Sequence, residues 1–237
     1  MKRKEKDKDM ELVIIIIAII AIVIIYFFMG MNVKELTKVA NNSKLNKIAD
    51  KYPENKEICK SILNMLGNNT TKIEENVESD TTLYIAIQNK ILVGNTHGSF
   101  TRIQTIAHEC LHSIQDRKIL IFNFIYSNIY FLYWIVICGL VIFKKISNEM
   151  IYANILLILS FIYYVVRVFL ENDAMIKAEF IAKEYMEKQP KAIEQEINEV
   201  VKGFKQLNSG CIKGTNCSLF INIMIKFVIF SVLALIF

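Results

Sequence analysis

Four long apolar blocks constrain this 237-residue chain more than any other feature. They cover residues 12–29, 122–143, 151–170 and 219–237, and each is close to the ~20 residues a helix needs to cross the hydrocarbon core of a bilayer. In lipid the backbone must satisfy its own hydrogen bonds, which makes such blocks helices. The expected fold class is a mainly α membrane protein, with about four transmembrane helices and a small α+β domain at the membrane surface. The first block follows a charged tail, residues 1–11. It is longer than the apolar part of a signal peptide and has no small-residue cleavage site after it, so it reads as a retained anchor over 12–30. The third block carries Arg167 near its end, where a long side chain can reach the interface, and the fourth carries a single Lys226. So few ionisable groups in the spans argue against a transporter.

The remaining sequence is polar enough to fold outside lipid. Residues 31–121 and 171–218 read as one small domain in two segments, flanking a transmembrane hairpin of 122–143 and 151–170, with 219–237 as the last span. Helices are expected over 34–50, 54–66, 168–188 and 191–207. Residues 70–80 read as loop, and 82–93 as a hairpin or a single bent strand around Gln88-Asn89. The net charge of +5 is spread thinly, with no basic patch interleaved with aromatics, so no nucleic-acid partner is expected; the lipid bilayer is. Of five cysteines, Cys138 falls in a span and Cys110 reads as a small apolar filler. Cys211 and Cys217 flank a short KGTN stretch read as loop, paired in an oxidising compartment or free in a reducing one.

Within the polar part lies His108-Glu109-Cys110-Leu111-His112. On a helix, residues four apart share a face, so two imidazoles at this spacing can hold one zinc ion while the adjacent glutamate acts on a zinc-bound water. Ile103, Ile106, Ala107, Cys110, Leu111 and Ile114 recur at helical spacing across 101–115, and Ser99 is a plausible N-cap. A catalytic zinc site takes three protein ligands. The candidates for the third are His97, Glu171, Asp173 and Glu179. Topology favours Glu171. The motif helix ends just before the second block and Glu171 follows the third, and the two ends of a transmembrane hairpin emerge on one side of the membrane. Asp173 is then placed to orient a ligating imidazole through its other nitrogen.

The segments AHECLHSIQ at 107–115 and LENDAMIKA at 170–178 resemble the YugP-type neutral zinc metallopeptidases, a bacterial membrane family with an AHExGHAxQ helix and a VEFDAS-like segment after a transmembrane hairpin. The layout is similar to that of gluzincin membrane proteases, and the resemblance implies that the small α+β domain at the membrane surface is zincin-like. The resemblance implies zinc held by His108, His112 and Glu171, Glu109 as general base and Asp173 at the family's aspartate position. The family glycine before the second histidine is Leu111 here, and Met175 replaces the serine after Asp173-Ala174.

These readings lead to one expectation: a multi-pass protein of the bacterial cell membrane that hydrolyses peptide bonds of membrane-associated protein or peptide substrates, with Zn2+ and Glu109. The alternative is a non-catalytic scaffold or metal-binding sensor that keeps the motif. Orientation stays open. Five basic residues in the N-terminal tail, with Lys144 and Lys145, place that tail in the cytoplasm, whereas Lys34, Lys38, Lys44, Arg117 and Lys118 flank the other side. The family resemblance leans toward a cytoplasm-facing site.

Overall fold

In a computed structural model the described residues are 12, 13, 15, 16, 19–23, 33–95 and 98–237. The expected anchor lies largely outside them; its described residues are helical. The rest is mainly helical, with one small sheet. Among the described residues three helices are long and apolar enough to cross a membrane: α5 (Arg117–Ile142), α6 (Glu149–Lys188) and α7 (Glu194–Ile236). The chain divides into two units. A polar unit takes Met31–Ile121 and Phe169–Ile212, and a membrane unit takes Met1–Gly30, Phe122–Val168 and Lys213–Phe237.

The polar unit begins with two helices where one was expected over 34–50: α1 (Val33–Ala40) and α2 (Ser43–Ala49). The cause is Asn42, whose side chain accepts the Lys44 and Leu45 N–H groups at 3.0 and 3.4 Å and starts a new helix. α3 (Asn55–Met65) follows Pro53 and gives way to Gly67 at φ +69°, a left-handed conformation suited to glycine.

Residues 70–80, expected to be loop, contain strand β1 (Lys72–Asn76). Its sequence KIEEN has no apolar alternation because it is an edge strand. Backbone pairing, parallel to β3 (Lys90–Gly94), makes it a strand. β2 (Leu83–Ile85) pairs antiparallel with the other side of β3, so 82–93 is a hairpin and the strand order is β1-β3-β2. Gly94 has to be glycine, because a Cβ there would meet the Asp80 and Thr81 backbone at 2.7 Å. The motif helix α4 (Arg102–His112) packs on α3 and the sheet. Its cap is Thr101 rather than Ser99, although the Ser99 hydroxyl accepts the Thr101 N–H at 3.3 Å.

One core joins these elements to the ends of α6 and α7. It includes Ile58, Ile62, Ile91, Phe100, Ile103, Ile106, Ala174, Ala178, Tyr185, Val200 and Phe204. The Phe100 and Phe204 rings stack at 5.7 Å. At this scale each buried aliphatic side chain contributes roughly 1.5–3 kcal/mol.

The membrane unit has its own small core: Tyr130, Ile137, Cys138, Val141, Ala153, Leu156 and Phe230. Tyrosines tie its helices to one another. Tyr126 and Tyr133 hydroxyls donate to the Leu159 and Tyr152 carbonyls, both at 3.1 Å, and the Ser160 hydroxyl donates to Tyr130 at 3.1 Å. The loop expected around Cys211 and Cys217 does not form, because α7 runs straight through it. Nothing there stops a helix, and buried Gly203, Leu207 and Cys217 lie on one face of it. Six residues of helix separate the two sulfurs by about 9 Å of rise, beyond disulfide reach. Both thiols are free.

Candidate metal centre

The site belongs to the polar unit. α4 carries His108 and His112 one turn apart on the face that meets α6, and α6 supplies Glu171 from its buried face. The ligand-capable atoms of these three residues lie within 4.8 Å of one another. His108 Nε2 is 3.1 Å from His112 Nε2, and Glu171 Oε2 is 3.5 Å from the first and 3.8 Å from the second. A tetrahedral zinc with bonds of about 2.1 Å separates its ligand atoms by about 3.4 Å, so the three donors already stand near those corners. Two imidazoles and one carboxylate form a donor set suited to zinc.

A chain of hydrogen bonds fixes the tautomer of His112. Gln115 donates from its amide to the Leu170 carbonyl at 2.9 Å and to Asp173 Oδ2 at 3.1 Å. That leaves Gln115 Oε1 to accept from His112 Nδ1 at 2.8 Å. With Nδ1 as donor, neutral His112 presents a bare lone pair on Nε2 to the other donors. Asp173 therefore does not touch an imidazole directly, as the sequence suggested; Gln115 stands between. Burial pushes the Asp173 carboxyl up, but hydrogen bonds from Lys177 and Gln115 outweigh it and hold it low. For His112, burial favours the neutral ring, while a hydrogen bond from a protonated Nε2 to Glu171, the Gln115 bond and the Glu109 and Glu171 charges shift it upward overall, so a metal at Nε2 takes the place of a proton.

Glu109 is 8 % exposed and lies beside the cluster, its Oε1 3.8 Å from His108 Nε2. Its other oxygen accepts the Tyr84 N–H at 2.7 Å. Tyr84 pairs with Ile91 of β3, so an N–H aimed at Glu109 must leave the outer edge of β2. Burial raises the Glu109 carboxyl above its usual range, against the pull of His108, His112 and the Tyr84 N–H.

The cluster takes neither Asp173 nor Glu179 as a ligand, and His97 lies outside the described residues. Two other residues escaped the sequence reading. One is Gln115, three positions after His112, whose signal was its place at the end of the motif helix. The other is Arg102, which is 3 % exposed. Its guanidinium donates at 2.8 Å to each of the Ala49, Tyr52 and Pro53 carbonyls and to Asn55 Oδ1, pinning the start of α4 to the α2–α3 connection. Nothing in the sequence around Arg102 distinguishes it from a surface residue. Cys110 fills space as expected, fully buried with Sγ 3.7 Å from Cys59 Sγ.

No known protein family, curated protein or solved structure matches the chain.

Proposed function

We propose that this chain is a zinc-dependent metalloprotease of the bacterial cell membrane, spanning it several times and cutting membrane-associated proteins or peptides. One observation carries the reading: His108 and His112, with Glu171 from a distant part of the sequence, bring three donor atoms to zinc-like spacing with the Glu109 carboxylate alongside. The likeness of both motif segments to the YugP-type family supports it, as does the apolar length of α5, α6 and α7.

His108, His112 and Glu171 would hold the metal, and a bound zinc supplies Lewis acidity that lowers the pKa of water at the site. Glu109 would take the proton of the attacking water and return it to the leaving amine. The Tyr84 N–H holds that carboxylate toward the cluster, and its partial desolvation strengthens it as a base. Gln115 and Asp173 keep His112 in its ligating tautomer. The outer edge of β2, next to Glu109, offers backbone groups on which an extended peptide can lie as an added strand.

The experiment is cleavage of a fluorescently labelled unfolded protein by the full chain in lipid nanodiscs, supplied with zinc. Wild type is expected to cleave, to stop with a chelator and to recover with added zinc. Glu109→Gln is expected to keep the metal and lose cleavage. Metal-loaded wild type that never cleaves, or Glu109→Gln that cleaves equally well, would remove Glu109 as the base and favour a non-catalytic metal-binding protein.

A further inference from the structure

The outward face of α6 carries a stripe of exposed apolar side chains. Ile151, Ile155, Ile158, Ile162, Val165 and Phe169 recur every three or four residues, all at least 37 % exposed. At 100° per residue they fall on one side of the helix, opposite buried Leu156, Ser160, Leu170, Ala174 and Ala178. On a transmembrane helix this is the face that meets lipid.

The stripe does not stop where the apolar block stops. On the same face, past Glu171, come Ile176 (51 % exposed) and Phe180 (61 %). Between them and Phe169 the only acidic group on this face is Asp173, paired with Lys177 at 2.5 Å and with Gln115. The next positions on this face are Lys183, Glu184 and Glu187, where the chemistry turns polar. From Ile151 to Phe180 the helix rises about 43 Å. A hydrocarbon core is about 30 Å thick, whereas a whole bilayer with its headgroup layers is about 40–45 Å. The stripe thus has the length of a whole bilayer, not of its core alone.

We infer that Ile176 and Phe180 lie in the interfacial layer of the bilayer, with lipid as the occupant of this face. Continuity with the lipid-facing stripe of the same helix argues for lipid over water or a partner protein. Glu171, on the inward face about 13 Å before Phe180 along the axis, then lies no shallower than the headgroups. If the proposed protease reading holds, its substrates are segments that enter the site within the membrane plane rather than from bulk solvent. The placement of the face itself does not depend on that reading.

Tryptophan quenching tests the placement without using metal or activity. The chain has one tryptophan, Trp134, which can be replaced by Phe. Reporters go in singly as Phe180→Trp and Ile176→Trp, with Phe161→Trp inside the span and Glu187→Trp beyond the stripe as controls. In phosphatidylcholine vesicles brominated near the glycerol end of the acyl chains, Phe180→Trp and Ile176→Trp are expected to lose fluorescence to an extent comparable with Phe161→Trp. Glu187→Trp is expected to respond to aqueous iodide instead. Phe180→Trp quenched by iodide as strongly as Glu187→Trp would put the face in water and overturn the inference. Protection from both quenchers would show a protein segment covering it, and overturns it equally. Should Trp134→Phe fail to fold, the same reporters are read as differences from wild type.

Discussion

The polar unit and the membrane unit use the same kinds of polar side chain in opposite ways. In the polar unit, Arg102 gathers three backbone carbonyls and one side-chain oxygen onto a single guanidinium, and Gln115 joins Asp173, Leu170 and His112. These are junctions, and apolar burial around them drives the fold. In the membrane unit the cross-helix polar contacts are spread over several side chains, most of which reach a single partner. Trp134 donates to the Lys226 carbonyl at 3.0 Å, Tyr126 and Tyr133 each reach one carbonyl, and the Lys226 ammonium lies 4.6 Å from the Tyr130 ring centre. Lipid is as apolar as leucine, so burial gives no preference between helices, and many small polar and packing contacts decide the arrangement. Water-driven folding therefore concentrates its vulnerability in a few buried groups, and lipid-driven packing spreads it thin.

The largest effect that could break this contrast is expected at Arg102. Arg102→Ala takes the guanidinium from the Ala49, Tyr52 and Pro53 carbonyls, of which Ala49 keeps the Tyr52 N–H, and hydrogen bonds to charged groups contribute about 1.5–3 kcal/mol each. The loss should be at least about 3 kcal/mol in denaturant unfolding of the detergent-solubilised protein, with little recovery in Arg102→Lys, whose single nitrogen cannot span the four acceptors. A change under 1 kcal/mol, roughly one ordinary hydrogen bond, would mean the junction carries no special weight.

Next comes the junction at the site. Gln115→Leu frees His112 from its tautomer and is expected to weaken zinc binding about 10–100-fold in competition with a chromophoric chelator, leaving the unit folded. Unchanged affinity would show that Gln115 and Asp173 do not support the ligand.

A smaller effect is expected at high pH. Burial is the main cause that pushes the Tyr52 and Tyr185 hydroxyls up to about 12 from the usual 10. A raised pKa stabilises the fold fully below pH 10 and the contribution is lost as pH rises toward 12, because the unfolded chain gives up these protons first. The polar unit should therefore lose stability across that window, by circular dichroism at fixed denaturant. Among the described residues the buried Tyr185 hydroxyl has no hydrogen-bond partner, so Tyr185→Phe should cost nothing at neutral pH and flatten the alkaline loss.

The smallest effect belongs to the membrane unit. Trp134→Phe removes the contact to the Lys226 carbonyl and should cost about 0.6 kcal/mol, the size typical of one hydrogen bond between membrane helices. A loss of several kcal/mol, of the kind expected from Arg102, would erase the difference between the two units.

Local pattern made part of this legible in the sequence. Apolar block length gave the long helices, helical spacing gave α4, and Gln88-Asn89 between two apolar runs left a hairpin or a single bent strand, of which the β2–β3 hairpin forms. Reading residues 122–143 and 151–170 as a hairpin of spans puts its two ends on one side, and that expectation pointed to Glu171 near His112, where the structure places it. What stayed hidden depends on tertiary contact. β1 is polar because it is an edge, and only β3 makes it a strand. The break between α1 and α2 turns on which way the Asn42 side chain points. Helix α7 absorbs a stretch that looks like loop because one of its faces is buried. Arg102 and Gln115 act through partners up to 58 positions away, as in the Gln115–Asp173 bond, so no window of sequence shows them.

The most direct test of the central claim is the zinc content of the full chain purified in mild detergent, measured for wild type and Glu171→Ala side by side. About one zinc per chain in wild type, lost or much weakened in Glu171→Ala, is the result expected of three protein ligands. Wild type that takes up no zinc, or Glu171→Ala that holds it as tightly as wild type, would contradict a metal centre built from His108, His112 and Glu171.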